Sequence, residues 1–345
     1  MIGTNVSGRR SAPSRFAWLL IGLTTFASAS AAEHASAPPT PSGTDPGQTA
    51  PAALLEQMES ALRALDYQGS FIFQSSSRID AMRIFHTGGA RERERLVGLN
   101  GARVEVVRDG RTITVIQVDQ RPSVFPTGRA QGAGLLPLVP DTQGRVLAPF
   151  YSLRLDGEDR VAGYSARIVE ILPSDALRYG YRLWLEQGSH LPLRVALIAS
   201  DQRVVEQFMF VALAIGNPTS PLDMLPSQTV DKATVATDEV SLKGDLNWRV
   251  NNLPPGYSLM SRGRRANDPA NVEHLLYSDG LASVSLYVEA REDAPVSADV
   301  ALSRGSMNVY IRDVGNWRLT VLGDVPGVTV ERIAQSITWV PQQAN

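Results

Sequence analysis

Residues 91 to 118, RERERLVGLNGARVEVVRDGRTITVIQV, read as three strand-like runs divided by Asn100-Gly101 and Asp109-Gly110. A period of two sends successive side chains to opposite faces of an extended chain, and Asn-Gly or Asp-Gly supplies the positive-φ residues of a tight reversal. A chain written this way has to build antiparallel sheet. The signature recurs in GSFIFQ (69 to 74), AMRIFH (81 to 86), ARIVEIL (166 to 172), YRLWLE (181 to 186), PLRVALI (192 to 198) and VVEQFMFVAL (204 to 213). Before these runs, Leu54, Leu55, Met58, Leu62 and Leu65 recur at three and four residues, which predicts an amphipathic helix.

The two faces of these strands differ in character. In YRLWLE, Tyr181, Leu183 and Leu185 share one side and Arg182, Trp184 and Glu186 the other, whereas VVEQFMFVAL is largely apolar on both. A sheet that is apolar on both faces needs cover on both, or it holds an apolar ligand. Residues 130 to 151 (AQGAGLLPLVPDTQGRVLAPFY) are candidate cover: their prolines exclude a long helix and a central strand, which predicts an apolar flap with short helical pieces. The aromatic set Phe71, Phe73, Tyr181, Trp184, Phe208 and Phe210, joined by Leu135, Leu136 and Phe150 of the flap, is the candidate lipid-binding lining. Ordinary core packing is the other reading these residues allow.

Three prolines punctuate residues 216 to 231, and a second pattern follows. HLLYSDGLASVSLYVEA (274 to 290) predicts two strands around Ser278-Asp279-Gly280, WRLTVLGD (317 to 324) another strand, and VTVERIAQSI after Pro326-Gly327 a short closing helix. The organisation predicted is a large sheet domain over 54–215, a linker over 216–231 and a small α+β domain over 232–341. Arg262, Arg264 and Arg265 (SRGRR) are placed at the start of a loop in the small domain, either as solvated charge or as a contact for phosphates or an acidic partner.

Arg9, Arg10 and Arg15, an uncharged stretch from Phe16 to Ala27 and small residues up to Ala32 predict a secretory signal peptide over 1–32, cleaved near Ala32. Residues 33–53 are too poor in large apolar groups to bury anything and predict a disordered tether. Without residues 1–32 the chain holds 30 basic and 35 acidic residues, a net charge of −5, which argues against a nucleic-acid partner. There is no cysteine, which removes disulfides, thiol nucleophiles and thiolate metal sites together.

The sequence offers little catalytic chemistry. His34, His86, His190 and His274 stand in separate segments without metal-ligand spacing, and Gly163-Tyr164-Ser165-Ala166-Arg167 lacks the second glycine of a nucleophile elbow. Gly132 and Gly134 run into Pro137 where a dinucleotide loop needs glycine, and Asp156, Glu158 and Asp159 read as solvated charges at a turn. The expectation is a protein that is not an enzyme and needs no cofactor.

Six stretches carry a more specific signal: LVGLNGARVEVVRDG (96 to 110), YGYRLWLEQGSHLPLRVALI (179 to 198), EQFMF (206 to 210), LPPGY (253 to 257), HLLYSDGLASVSLYVEA and LTVLGDVPGVTVERIAQSI (319 to 337). With them the chain from about Leu54 to Trp339 resembles the MucB/RseB family, periplasmic regulators of the envelope-stress sigma-E factor. The resemblance implies a LolA-like curved half-barrel sheet with covering helices, followed by a smaller α+β domain. It implies a periplasmic protein that binds the periplasmic region of a membrane-anchored anti-sigma factor, shields it from regulated proteolysis, and is released when lipopolysaccharide or lipoprotein acyl chains enter the large domain. It also places the partner contact mainly on the small domain and neighbouring linker, where Arg262, Arg264, Arg265, Tyr277 and Asp279 are the candidates. The first half alone is compatible with a lipid or lipoprotein carrier, and a homodimer stays open.

Overall fold

The computed structural model describes residues 50–340, apart from 77, 111, 118–122, 127–133, 141–146, 148, 229–233, 236–238, 242–246, 266–271 and 292–297. The expected signal peptide and nearly all of the expected tether lie outside the described residues.

Helix α1 (Pro51–Ala64) opens with proline in its first turn, where no backbone donor is lost, and buries Leu54, Leu55, Met58 and Leu62. Gly88 lets the sheet meet its end: a Cβ there would stand 2.3 Å from the Ala64 carbonyl oxygen. Strands β1 (Tyr67–Ser75), β2 (Arg78–Thr87), β3 (Arg93–Gly98), β4 (Val104–Asp109), β5 (Thr112–Gln117) and β6 (Ser123–Pro126) form one half of a sheet. Strands β7 (Tyr151–Val161), β8 (Tyr164–Pro173), β9 (Gly180–Glu186), β10 (Pro192–Ile198) and β11 (Val204–Ile215) form the other. They join where β11 pairs β1, with β12 (Thr234–Val235) added beside β6, giving the order β12-β6-β5-β4-β3-β2-β1-β11-β10-β9-β8-β7. The first two described residues after the expected linker therefore sit on the large sheet.

Helix α1 shares one apolar core with side chains from both ends of this sheet, Ile113 and Val115 of β5 as well as Tyr151 of β7, so the sheet wraps around the helix. Among the described residues the two end strands, β12 and β7, do not pair, and the sheet stays open. Strand β11 bulges at Val211, where the register shifts opposite Ser70 and Phe71 of β1. Gly69 sits beside the shift, and a Cβ there would lie 2.5 Å from the Ala212 carbonyl oxygen.

Two expectations change. Asn100-Gly101 lies in a wider connection over 99–103, and Asn100 ties back to β2 by accepting from the Ala81 amide at 2.7 Å and donating to the Ile79 carbonyl at 3.1 Å. Asp156, Glu158 and Asp159 lie within β7: Gly157 at φ 84° and a register shift between Leu155 and Glu158 make a bulge, and the turn falls at Ala162-Gly163. As an end strand with one free edge, β7 can carry a run of charge that an inner strand could not.

The small domain is a second antiparallel sheet. It contains β13 (Glu239–Ser241), β15 (Ser258–Arg265), β16 (Glu273–Ser278), β17 (Ser283–Ala290), β18 (Val300–Arg304), β19 (Met307–Val314) and β20 (Trp317–Gly323), in the order β13-β15-β16-β17-β20-β19-β18. Helix α2 (Gly327–Gln335) closes its core, and β14 (Trp248–Val250) pairs with β21 (Ile337–Trp339). Arg262, Arg264 and Arg265 lie on strand β15 between β13 and β16, not in a loop. No helix among the described residues is long and apolar enough to cross a membrane.

Candidate functional site

The inner face of the large sheet carries three phenylalanines brought together from β1 and β11. Phe71, Phe208 and Phe210 meet edge to face, with ring centroids 5.7 to 6.0 Å apart, the arrangement aromatic quadrupoles favour. Phe73 and Tyr181 belong to or pack against the same core, and so do Leu135, Leu136 and Phe150 of the predicted flap. The flap's described residues, 134–140, 147 and 149–151, contain no helix, and the rest of the segment in which short helical pieces are expected lies outside the described residues. Trp184 does not join this set. It lies on the opposite face of β9, packed with Val161, Ala166, Ile168 and Ala196, under the Arg194 guanidinium at 4.1 Å and donating to Asp159 at 2.9 Å. Strand alternation separates it from Leu183 and Leu185, so it cannot line the space the phenylalanines face.

Beside the phenylalanines, the inner face holds a polar row. Tyr67 of β1 stands opposite His86 of β2, His86 opposite Glu94 of β3, and Glu94 opposite Arg108 of β4. The Tyr67 and His86 rings stack at 4.4 Å, and His86 Nδ1 lies 2.7 Å from the Leu65 carbonyl oxygen. Arg108 donates to Glu94 at 2.6 Å and also to Glu92. Burial opposes the Glu92 charge, but hydrogen bonds from His86 and Arg108 prevail and hold its pKa below the ordinary value. Glu94 also reaches the flap, accepting from the Leu135 amide at 3.0 Å.

The two domains meet around Arg178, which the sequence reading passed over. Its side chain is 0% exposed, donates to Asp279 at 2.5 Å, and contacts Asp175 and the Pro255 carbonyl oxygen. The guanidinium also lies 5.1 Å from the Phe150 and Tyr257 ring centroids. Tyr151, at the end of the flap, donates to Asp279 at 3.0 Å. Gly256 of LPPGY sits at φ 86°, and a Cβ there would stand 2.3 Å from the Phe150 ring, so the close approach requires glycine. The flap's last residues thus form both cover for the large core and one wall of the domain interface.

Of the expected partner contacts, Tyr277 is buried in the small-domain core, where burial and then the Glu273 charge push its phenol up to about 12. Asp279 is spent on Arg178, Tyr151 and the Leu281 and Ala282 amides. With the domains docked, neither offers a surface to a partner. Arg262 is paired with Glu273, and Arg264 is half-buried on the same strand.

A second interface contact involves a proton. Glu206 of β11 accepts from the Ser306 amide at 3.1 Å, and the Ser306 hydroxyl lies 2.9 Å from Glu206 and 2.6 Å from Asp324. One hydroxyl proton can serve only one carboxylate. Burial raises the Glu206 pKa above its ordinary 4.5, the Ser306 hydrogen bonds work against this, and the Asp324 charge adds to it. The folded protein therefore holds a proton on Glu206 more tightly than the unfolded chain does. Its contribution to stability is complete below pH 4.5 and is lost as pH rises through the elevated value. In thermal unfolding from pH 4 to pH 8, Glu206→Gln should lose less stability than the native chain as pH rises, with Asp324, whose carboxyl burial also pushes up, retaining its own share of the decline.

Among the described residues no group of histidines and acids could hold a metal ion.

The MucB/RseB N-terminal domain description matches residues 50–270, and the MucB/RseB C-terminal domain description matches residues 243–338. The chain is 31% identical over 294 residues to the sigma-E factor regulatory protein RseB of Escherichia coli K12, covering 83% of this chain and 90% of the relative. It is 34% identical over 295 residues to the sigma factor AlgU regulatory protein MucB of Pseudomonas aeruginosa, covering 82% and 89%. The structure resembles MucB in the Pseudomonas aeruginosa MucA/MucB complex, with TM-score 0.68, 30% identity, and coverage of 85% of this chain and 99% of that one. A crystal structure of MucB in complex with the periplasmic part of MucA gives TM-score 0.66 at 29% identity.

Proposed function

The chain belongs to the MucB/RseB family, and on that premise we propose that it is a periplasmic negative regulator of sigma-E-type signalling. It binds the periplasmic region of a membrane-anchored anti-sigma factor and shields that region from proteolysis. The observation that carries this reading is the likeness, over 85% of the chain, to a MucB bound to MucA. The partner contact falls on the small domain, with Arg262, Arg264 and Arg265 of β15 as its basic element.

The switch in this proposal is lipid. Lipopolysaccharide or lipoprotein acyl chains settle against Phe71, Phe73, Tyr181, Phe208 and Phe210, beneath Leu135, Leu136 and Phe150. These side chains are packed by the helix and the flap, so a chain must displace the cover to reach them. Each buried methylene contributes about 0.8 kcal/mol, and a few would offset the loss of that packing. Phe150 and Tyr151 also touch Arg178 or Asp279, so displacing the cover strips contacts from the domain interface.

The test is a pull-down of residues 33–345 with the anti-sigma factor's periplasmic region, with and without lipopolysaccharide. Capture that lipid abolishes is the expected result. Failure to capture under either condition would end this reading.

A further inference from the structure

The polar row on the inner face is not explained by packing. Tyr67, His86, Glu94 and Arg108 are all buried, against a core of apolar side chains. His86 and Arg108 make hydrogen bonds to the main chain or within the network. Two atoms have no hydrogen-bond partner among the described residues, Tyr67 Oη and Glu94 Oε1. Folded proteins leave few such groups, because taking a polar atom out of water without a replacement partner is costly.

Their surroundings show what covers them. Gly134 lies so close that a Cβ there would stand 2.7 Å from Glu94 Oε1, and the next amide, Leu135, donates to the other oxygen at 3.0 Å. The flap tip therefore caps the carboxylate with main chain and supplies it one N–H. A ligand that lifts the flap removes that N–H. A plain hydrocarbon returns nothing for it, leaving a buried carboxylate with the Arg108 contact alone on this side. A ligand hydroxyl can donate to Glu94 in place of the amide, and a ligand oxygen can accept from Tyr67. Burial first, and then the Glu94 charge, hold the Tyr67 phenol well above its ordinary value, so it is present as a donor.

We propose that Tyr67 and Glu94 form a polar subsite beneath the flap that selects amphiphiles bearing a hydroxyl on their buried portion over plain hydrocarbon chains. This rests on the inner face being the lipid site. The experiment measures displacement of anilinonaphthalene sulfonate from residues 33–345 by 1,2-dodecanediol and by 1,2-dimethoxydodecane, which keeps the oxygens but has no donor. The diol should bind about 10- to 100-fold more tightly, the range for a hydrogen bond to a charged acceptor. Tyr67→Phe should weaken the diol about 5- to 10-fold, the range for one hydrogen bond, without lowering Tm, because the variant removes only an unpaired hydroxyl. Equal binding of the two compounds, or a diol affinity unchanged in Tyr67→Phe, would overturn the subsite while leaving the lipid reading standing. Displacement by neither compound would overturn both.

Discussion

Replacing Arg178 by methionine should uncouple the two domains. The change leaves Asp279 buried against the large domain with its hydrogen bonds but without its counter-charge, and it removes the contact to the Pro255 carbonyl. Breaking a buried ion pair from one side costs about 3–5 kcal/mol. That loss falls on docking, because each sheet keeps its own core. The expected result is a larger radius of gyration in solution scattering, with faster proteolytic cleavage in residues 216–231. Adding Asp279→Asn should recover part of the loss, since no buried charge is then left over. An unchanged scattering profile in the single variant would show that the pair does not hold the domains together.

Phe71→Ala should be the most damaging change within the large core. Phe71 is 1% exposed and meets both Phe208 and Phe210 edge-on, at 5.8 and 5.7 Å. Removing the ring should cost about 3–5 kcal/mol, a fall in Tm of roughly 10 °C for a domain of this size. The space left is apolar and faces the proposed lipid path, so the destabilised protein should take up apolar ligands more readily than the native one. Trp184→Phe, on the other face, should leave uptake unaltered. Equal effects of the two substitutions on uptake would mean that the phenylalanines are core alone.

Period and turn chemistry made the helix over 51–64 and most of the inner strands legible in the sequence, because apolar residues recur at alternate positions along much of their length. The same reasoning missed β18, whose residues are mostly exposed, and disguised β7 as a charged turn. Both stand at the ends of their sheets, where the alternation that marks a strand is no longer enforced by burial. The aromatic set was gathered by residue type, and it failed at Trp184, although the alternation of YRLWLE already put that side chain opposite Leu183 and Leu185. Arg178 and Asp279 are 101 positions apart, and no local pattern could have joined them. The polar row was hidden differently. Tyr67, His86, Glu94 and Arg108 each look like an ordinary polar strand residue, and only the register of four neighbouring strands makes them one line.

Tyr151 is buried in the large core through its ring and bonded to the small domain through its hydroxyl. Two equilibria then share one side chain, and thermodynamic reciprocity fixes the relation between them. Whatever factor an amphiphile under the cover takes from the docking constant, docking must take from the affinity of that amphiphile. A form of the protein held permanently docked would be a correspondingly poor binder, and anything that strengthens docking from outside raises the lipid concentration needed to respond. The threshold of response is in this way set by the domain interface as much as by the lining that meets the lipid.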